Sequence, residues 1–378
     1  MALDIVSVDS SRDLRRFIGL PWQIYNPVDH PQWVPPLRIA VADALSKKNP
    51  FYRTADRQLF LAMRNGKPVG RIAAIENRAH NDFHKDKVGF FGFFECGQDQ
   101  EAANGLFASA ASWLRTRGLD TVRGPMNPST NHECGLLVDG FEQHPMIMTT
   151  WNPQYYSTLI ENAGFTKAKD LIAYYFGMEG EHRFELPERV RHIAERAFKG
   201  KNLVFRDLDL KNFGAEVERC WEVYNSAWEA NWGFVPMSRE SFQHEAQVLK
   251  YLIWQRFAFV AEVNGEPAGF MIIVPDYHRV FKQIGNGRLL PTGIFKILAA
   301  KTRLKSCRIM ILGAKPEYQN RGIFGLFADE MYRRGKEEGM IGGEASWILE
   351  DNDKLNRPLR GMGATEYRRW RIYDRAVG

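Results

Sequence analysis

Apolar and polar residues alternate along two long stretches, Gln58–Asn77 and Arg256–Pro275, each broken near its centre by an Asn-Gly pair. Alternation of period two around Asn-Gly predicts a β-hairpin with a tight turn. A further strand follows each hairpin, Lys87–Glu95 or Cys307–Lys315. Apolar residues then recur at helical spacing over Ala102–Arg117 and Gly322–Lys336. Another strand comes next, Asp120–Asn127 or Gly342–Glu350, and then a short helix and a closing strand. This order predicts an α/β fold, a mixed sheet with helices on both faces.

The two stretches are copies of one another. Asn65–Ile75, NGKPVGRIAAI, returns 199 positions later as Asn264–Val274, NGEPAGFMIIV. Gly164 and Gly363 share that offset, and Asn152 falls within one residue of the counterpart of Asn352. Motifs at the start and end of each unit, kept at one offset, argue for a duplicated domain rather than a short-period solenoid. The polar run Gly177–Val190 separates the copies, so the expected domains are 1–180 and 181–378. With 378 residues, 44% of them hydrophobic, the chain can build two cores.

Cys96, Cys134, Cys220 and Cys307 lie far apart, without CxxC or Cys/His ligand spacing. Neither a disulfide framework nor a structural metal is expected, and the expected location is the cytoplasm. The start of the chain lacks an apolar signal region, and no apolar run is long enough to span a bilayer. The net charge of +6 is concentrated: from Tyr277 to Lys315 there is no Asp or Glu. Leu289, Leu290, Ile294, Phe295, Ile297 and Leu298 stand among the cations of that stretch. A basic amphipathic segment of this kind suits peripheral contact with the anionic inner face of a membrane. A core-packed helix with solvated cations is the alternative. No nucleic-acid reading motif accompanies the charge, so nucleic acid is not an expected partner.

In the second copy the strand ending at Lys315 runs into Pro316-Glu317-Tyr318-Gln319-Asn320-Arg321-Gly322-Ile323-Phe324, where a helix begins. Unsatisfied N–H groups at a helix N-terminus point along the positive end of its dipole and can hold a pyrophosphate, and Gly322 permits close approach. The loop resembles the P-x-x-Q/R-x-x-G-x-G/A signature of the GNAT N-acyltransferase family. Asn352 and Gly363 match the spacing of that family's N-x-x-A-x-x-x-Y-x-x-x-G element. The resemblance implies two tandem GNAT-like acyl-CoA N-acyltransferase domains, with acyl-CoA or acetyl-CoA as co-substrate, an amine acceptor and no metal. It places the CoA pyrophosphate on Gln319, Asn320, Arg321, Gly322, Ile323 and Phe324. It also assigns polarisation of the thioester carbonyl to the backbone of Leu312, Gly313 and Ala314. Two positions depart from the pattern: Phe324 replaces a small residue, and Leu359 replaces the Tyr that protonates the departing thiolate. In the first copy the corresponding loop, Cys96–Gly105, is acidic and lacks the signature, so that copy is not expected to hold CoA.

Asn127, Ser129, Asn131, His132 and Glu133 form a dense polar cluster after a strand of the first copy. Such a cluster can position an amine through Asn127, Ser129 and Asn131 and deprotonate it with His132 or Glu133; a turn-rich surface loop is the alternative. Glu344, Glu350 and Asp351 flank the strand 345–349 of the second copy, and Glu350 and Asn352 are the other catalytic candidates, with helix capping by Asp351 or Asn352 as the alternative. Trp228 and Trp232 sit in an aromatic segment that reads as an acyl channel or as core. Over the whole chain the sequence looks similar to tandem GNAT proteins of the bacterial ceramide synthase-like group. That likeness implies a long-chain acyl donor and a sphingoid base or other lipid-like amine. Acetylation of a small polar amine, Fem-like aminoacyl transfer and an inactive acyl-CoA sensor are the alternatives.

Overall fold

The computed structural model describes residues 2–179, 183–198, 202–300, 303–319 and 321–378. Asn320 therefore lies outside the described residues. Two compact units divide the chain. Unit 1 takes the residues up to Leu171 together with His278–Lys296 and Arg368–Gly378, and unit 2 takes Ile172–Tyr277 and Ile297–Tyr367.

The strands of the described residues are, in chain order, β1 Leu3–Ser7, β2 Ala55–Arg64, β3 Lys67–Asn77, β4 Val88–Cys96, β5 Thr121–Gly124, β6 Met126–Asn127, β7 Glu133–Cys134, β8 Leu136–Asp139, β9 Thr166–Gly177, β10 Leu203–Asp207, β11 Ala258–Val263, β12 Glu266–Pro275, β13 Ser306–Ala314, β14 Gly342–Leu349 and β15 Thr365–Ala376. In unit 1, β1 to β4 form an antiparallel meander and β5 lies parallel to β4. Residues Arg368–Ala376 then close the sheet, with Tyr373 opposite Gly124 on β5. In unit 2, β10 to β13 form the equivalent meander and β14 lies parallel to β13. There the strand beside β14 is the second half of β9, Ile172–Gly177. Each sheet is thus closed by the strand that ends the other copy in sequence.

The duplicated motif has a physical cause. Asn65 and Gly66 adopt φ of 52° and 73°, and Asn264 and Gly265 adopt 55° and 84°. These are the two positive values that a two-residue hairpin turn requires. The second glycine of each motif is a packing position: a Cβ on Gly70 would stand 2.8 Å from Leu106, and one on Gly269 would stand 3.3 Å from Ile323. Those partners belong to the helices Gln100–Arg115 and Ile323–Glu337, which lie across their own hairpins. Ala102, Leu106, Phe107 and Leu114 pack on Phe60, Ile72 and Phe91 in unit 1. Ile323, Leu326 and Phe327 pack on Phe259, Met271 and Ile273 in unit 2. Each fully buried Leu or Phe contributes roughly 1.5–3 kcal/mol, so these faces anchor both cores.

The described residues of the acid-free stretch include the helices His278–Ile284 and Gly293–Ala300. Ile297 is buried, whereas Leu290 and Phe295 are each 70% exposed and Leu298 is 61% exposed. The segment therefore combines a packed stripe with an exposed apolar face.

One buried histidine gives unit 1 a pH dependence. Burial lowers the His80 pKa to about 4, against the opposing pull of Asp86 3.3 Å away. An unfolded histidine titrates near 6.5, so the unfolded chain takes up the proton first as pH falls. The contribution of a neutral His80 is complete above about pH 6.5 and is lost as pH drops towards 4. At pH 5 the loss is about 2 kcal/mol. Thermal melts at pH 7 and pH 5 should show a drop in Tm that His80→Gln reduces.

Candidate active site

In GNAT-like sheets the chemistry is expected where two parallel strands part. Pairing of β13 with β14 runs from Ser306 opposite Gly342 to Ile309 opposite Ala345, yet β13 continues to Ala314. The register with β12 shifts between Ile309 and Ile311, a bulge at Met310. Bulges bend a strand and re-aim it. Beyond it Ile311 and Leu312 are half-buried, while Gly313 and Ala314 are buried. The ring of Trp228 covers Gly313 so closely that a Cβ there would stand 2.2 Å from it. Trp228 also packs with Tyr224 and Phe270. Gly313 and Trp228, singled out separately in the sequence, are therefore neighbours. Trp232 is half-buried in the turn after the helix Phe213–Trp228.

The loop after β13 makes one turn of 3-10 helix at Pro316–Tyr318, and Gly322, with φ 83°, opens the 15-residue helix Ile323–Glu337. No described side chain caps this helix N-terminus. Gln319 donates its amide to the carbonyl of Ala314 at 3.2 Å, so it braces the loop. Arg321 is exposed, with its guanidinium 5.3 Å from the Tyr318 ring centre. Ile323 is buried, and Phe324 packs against the unit 2 core. The neighbouring helix Glu188–Phe198 brings Ala197 to 3.0 Å from the place of a Cβ on Gly322. Any larger residue at 322 meets both that contact and the left-handed backbone.

Unit 1 treats the equivalent features differently. Its helix Gln100–Arg115 is capped by Asp99, which accepts the N–H of Ala102 at 3.1 Å and pairs with Arg64 at 2.8 Å. A carboxylate thus sits where an anion would have to bind. β4 and β5 also part, after Phe90 opposite Arg123. The opening is taken up by chain from the same unit: a Cβ on Gly92 would stand 1.7 Å from the Met126 carbonyl, and Asn127 accepts the N–H of Phe93 at 2.6 Å.

The polar cluster of the first copy is held on the ribbon of β6 and β7, where Asn127 stands opposite Glu133. Ser129 is buried and bonds His132 Nδ1 at 2.8 Å, the Asn131 N–H donates to Ser129 Oγ at 3.2 Å, and Phe51 meets the His132 ring edge-on. Asn127, by contrast, serves the backbone of β4. An open groove of about 560 Å³ in the same unit is lined by Asp29, His30, Glu142, Trp151 and Tyr155. Behind it Tyr25 stacks on Trp33 and donates to Glu95, which also accepts from Tyr156 at 2.8 Å and faces Arg71 at 3.5 Å. Burial pushes the Glu95 carboxyl above its usual range, with Arg71 and the two hydroxyls opposing. Arg71, Glu95, Glu142, Trp151, Tyr155 and Tyr156 were not singled out in the sequence.

Glu350 and Asn352 lie in the turn between β14 and the helix Asp353–Gly361. Asn352 occupies the N-cap position without making a side-chain cap. The turn is fastened instead by buried Asn356, which donates to the carbonyls of Leu349 and Glu350 and accepts from Tyr174 Oη. Leu359 is packed in the core with Tyr332 and Ala345, so its position offers no acid. Among the described residues no group of three or more His, Cys, Asp or Glu could hold a metal ion.

No family model matches the chain. Among solved structures, the tandem GNAT protein from the clavulanic acid biosynthesis pathway superposes with a TM-score of 0.57 at 11% identity, covering 100% of this chain and 99% of that one. A GCN5-related N-acetyltransferase from Anabaena variabilis gives 0.53 at 11% identity, over 100% and 73%. In sequence, the bacterial ceramide synthase of Caulobacter vibrioides (strain NA1000 / CB15N) is 34% identical over 99% of this chain and 98% of its own. The chain belongs to the tandem GNAT N-acyltransferase family. Protein YghO of Escherichia coli (strain K12) is also similar, 30% identical over 97% of this chain and 94% of its own. As a member of that family the chain is an N-acyltransferase with the mixed sheet expected of two GNAT domains. Among the described residues no helix is long and apolar enough to cross a membrane.

Proposed function

We propose that the protein transfers a long-chain acyl group from acyl-CoA to a lipid-like primary amine such as a sphingoid base, with a division of labour between the domains 1–180 and 181–378. The observation that carries this reading is the contrast between two helix starts. Among the described residues no side chain caps the one after Gly322, and the one after Asp99 is stoppered by a carboxylate. An uncapped N-terminus on a long helix favours phosphate oxygens, whereas Asp99 repels them. The second domain therefore takes CoA, with Gly322, Ile323, Phe324 and Arg321 around the pyrophosphate and β13 beside the thioester. Trp228 and the half-buried Ile311 and Leu312 offer apolar surface to an acyl chain. The first domain supplies acceptor contacts. Its Ser129-bonded His132, or Glu133, takes a proton from the incoming ammonium. The carboxylates and aromatic rings of the 560 Å³ groove suit an amine ligand as well. The name of the Caulobacter relative favours ceramide-type chemistry over acetylation of a small polar amine. Free thiol release with palmitoyl-CoA and sphinganine, set against acetyl-CoA and small amines, tests the choice. Faster turnover of the short pair would contradict it.

Peripheral membrane contact at the inner face belongs to the same reading, because such substrates reside there. The exposed Leu290, Phe295 and Leu298 stand in a stretch without acids. Sedimentation with anionic vesicles should carry the protein down at low salt and release it at high salt, and Phe295→Asp combined with Lys296→Glu should abolish binding. Equal binding to neutral and anionic vesicles, or none, would leave a solvated helix instead.

A further inference from the structure

Glu344 is fully buried at the last paired positions of β14, opposite Arg308 on β13. One carboxylate oxygen accepts from Ser346 Oγ and the other from Tyr367 Oη. Arg308 is buried beside them, 3.6 Å from the carboxylate, and donates to Ser346 Oγ at 2.9 Å and to the Ser346 carbonyl at 3.1 Å. Ala345 packs into the cluster that holds Tyr332 and Leu359. Alternation along the strand therefore turns Glu344 and Ser346 to the opposite side of the sheet. On that side the helix Phe213–Trp228 crosses β12 and β13 and sets Trp228 on Gly313. Tyr367 is the half-buried end of the cluster, its ring 5.5 Å from that of Tyr175. A carboxylate this deeply buried is costly unless paired and hydrogen-bonded, and here a hydroxyl connects it to the more open surface.

We propose that Tyr367, acting with Glu344, is the proton carrier of the acyl transfer and fills the role left open by Leu359. The proposal rests on the acyl-CoA reading given above. An alkylammonium acceptor must lose two protons to become an amide. The first leaves before attack, through the first domain to solvent. The nitrogen then forms a bond to the thioester carbonyl carbon and still carries one proton too many. Tyr367 Oη takes that proton as its own passes to Glu344. Collapse of the tetrahedral intermediate breaks the C–S bond, and the proton returns by the same route to the sulfur. Ammonium and thioester thus become amide, thiol and one solvated proton, and the cluster ends unchanged. Glu344 acts through Tyr367 and is a positioning residue. Ser346, itself held by Arg308, fixes the carboxylate oxygen that Tyr367 does not.

The test uses the full chain with palmitoyl-CoA and sphinganine, reading kcat and KM across pH, the acyl-CoA Kd by calorimetry and Tm. Tyr367→Phe should keep Tm, Kd and both KM values, lower kcat by about 10²-fold and flatten its pH dependence. Glu344→Gln should lower kcat in the same way, and the double variant should fall no further than Tyr367→Phe alone, because residues acting as a unit are not additive. Tyr367→Phe within twofold of the parent kcat, or a double variant showing the product of the two losses, overturns the proposal. A parent protein that binds palmitoyl-CoA but forms no amide with any amine removes the acyl-transfer reading and this proposal with it.

Discussion

Gly322→Glu abolishes acyl-CoA binding, by at least 10²-fold in Kd measured by calorimetry. Three effects act in one direction. The new carboxylate stands at the positive end of the helix Ile323–Glu337, where the account puts a pyrophosphate, and like charges there are strongly unfavourable. The backbone of Gly322, at φ 83°, suits glycine alone. The added Cβ would also meet Ala197 at 3.0 Å. Because the last two effects concern packing, Arg321→Glu is the companion variant: the residue is exposed, so only charge changes. It should weaken binding about tenfold, roughly 1.4 kcal/mol, and more at low salt. Unchanged affinity in a folded Gly322→Glu protein would remove the phosphate loop from the account. Asp99→Asn, in the first domain, should leave affinity as it was.

His132→Ala and Glu133→Ala form the second large prediction. Either should lower turnover by about 10²-fold while CoA affinity holds, the loss expected for a general base. Ser129 fixes the imidazole through Nδ1, so the ring is held in one orientation. Ser129→Ala should then give part of the His132→Ala loss without changing Kd. If both His132→Ala and Glu133→Ala turn over normally while Glu350→Ala does not, the base belongs to the second domain. The 127–133 ribbon would then be left with the task of closing the gap between β4 and β5.

The features readable in the sequence were those set by local physics. Asn-Gly turns demand two positive φ values, and the glycine four residues further on leaves room for a helix, so both hairpins and the helix packed on each could be placed to within a few residues. Gly322 could be recognised as a helix start for the same reason. The closing strands are another matter. Thr166–Gly177 and Thr365–Ala376 are equally long and similarly patterned, and alternation selects a strand without naming its neighbour. Glu344 could be named as an acid beside a strand, but its joining to Arg308, Ser346 and Tyr367 could not be read, because that needs the register of β13 on β14 and the reach of Tyr367, neither of which is a local property. Asn356 was passed over in favour of Asn352 for a related reason: both stand near the strand end, and only the turn's geometry decides which one reaches the carbonyls of Leu349 and Glu350.

Mass spectrometry of the reaction mixture decides whether the protein joins an acyl chain to a lipid amine. Freshly purified protein is incubated with palmitoyl-CoA and sphinganine, and amide and free CoA are quantified together. Amide and CoA should appear in equal amounts, formed catalytically and lost in Gly322→Glu. Tight binding of palmitoyl-CoA with no amide from sphinganine or any other amine offered would contradict it and leave an acyl-CoA-binding module in place of an enzyme.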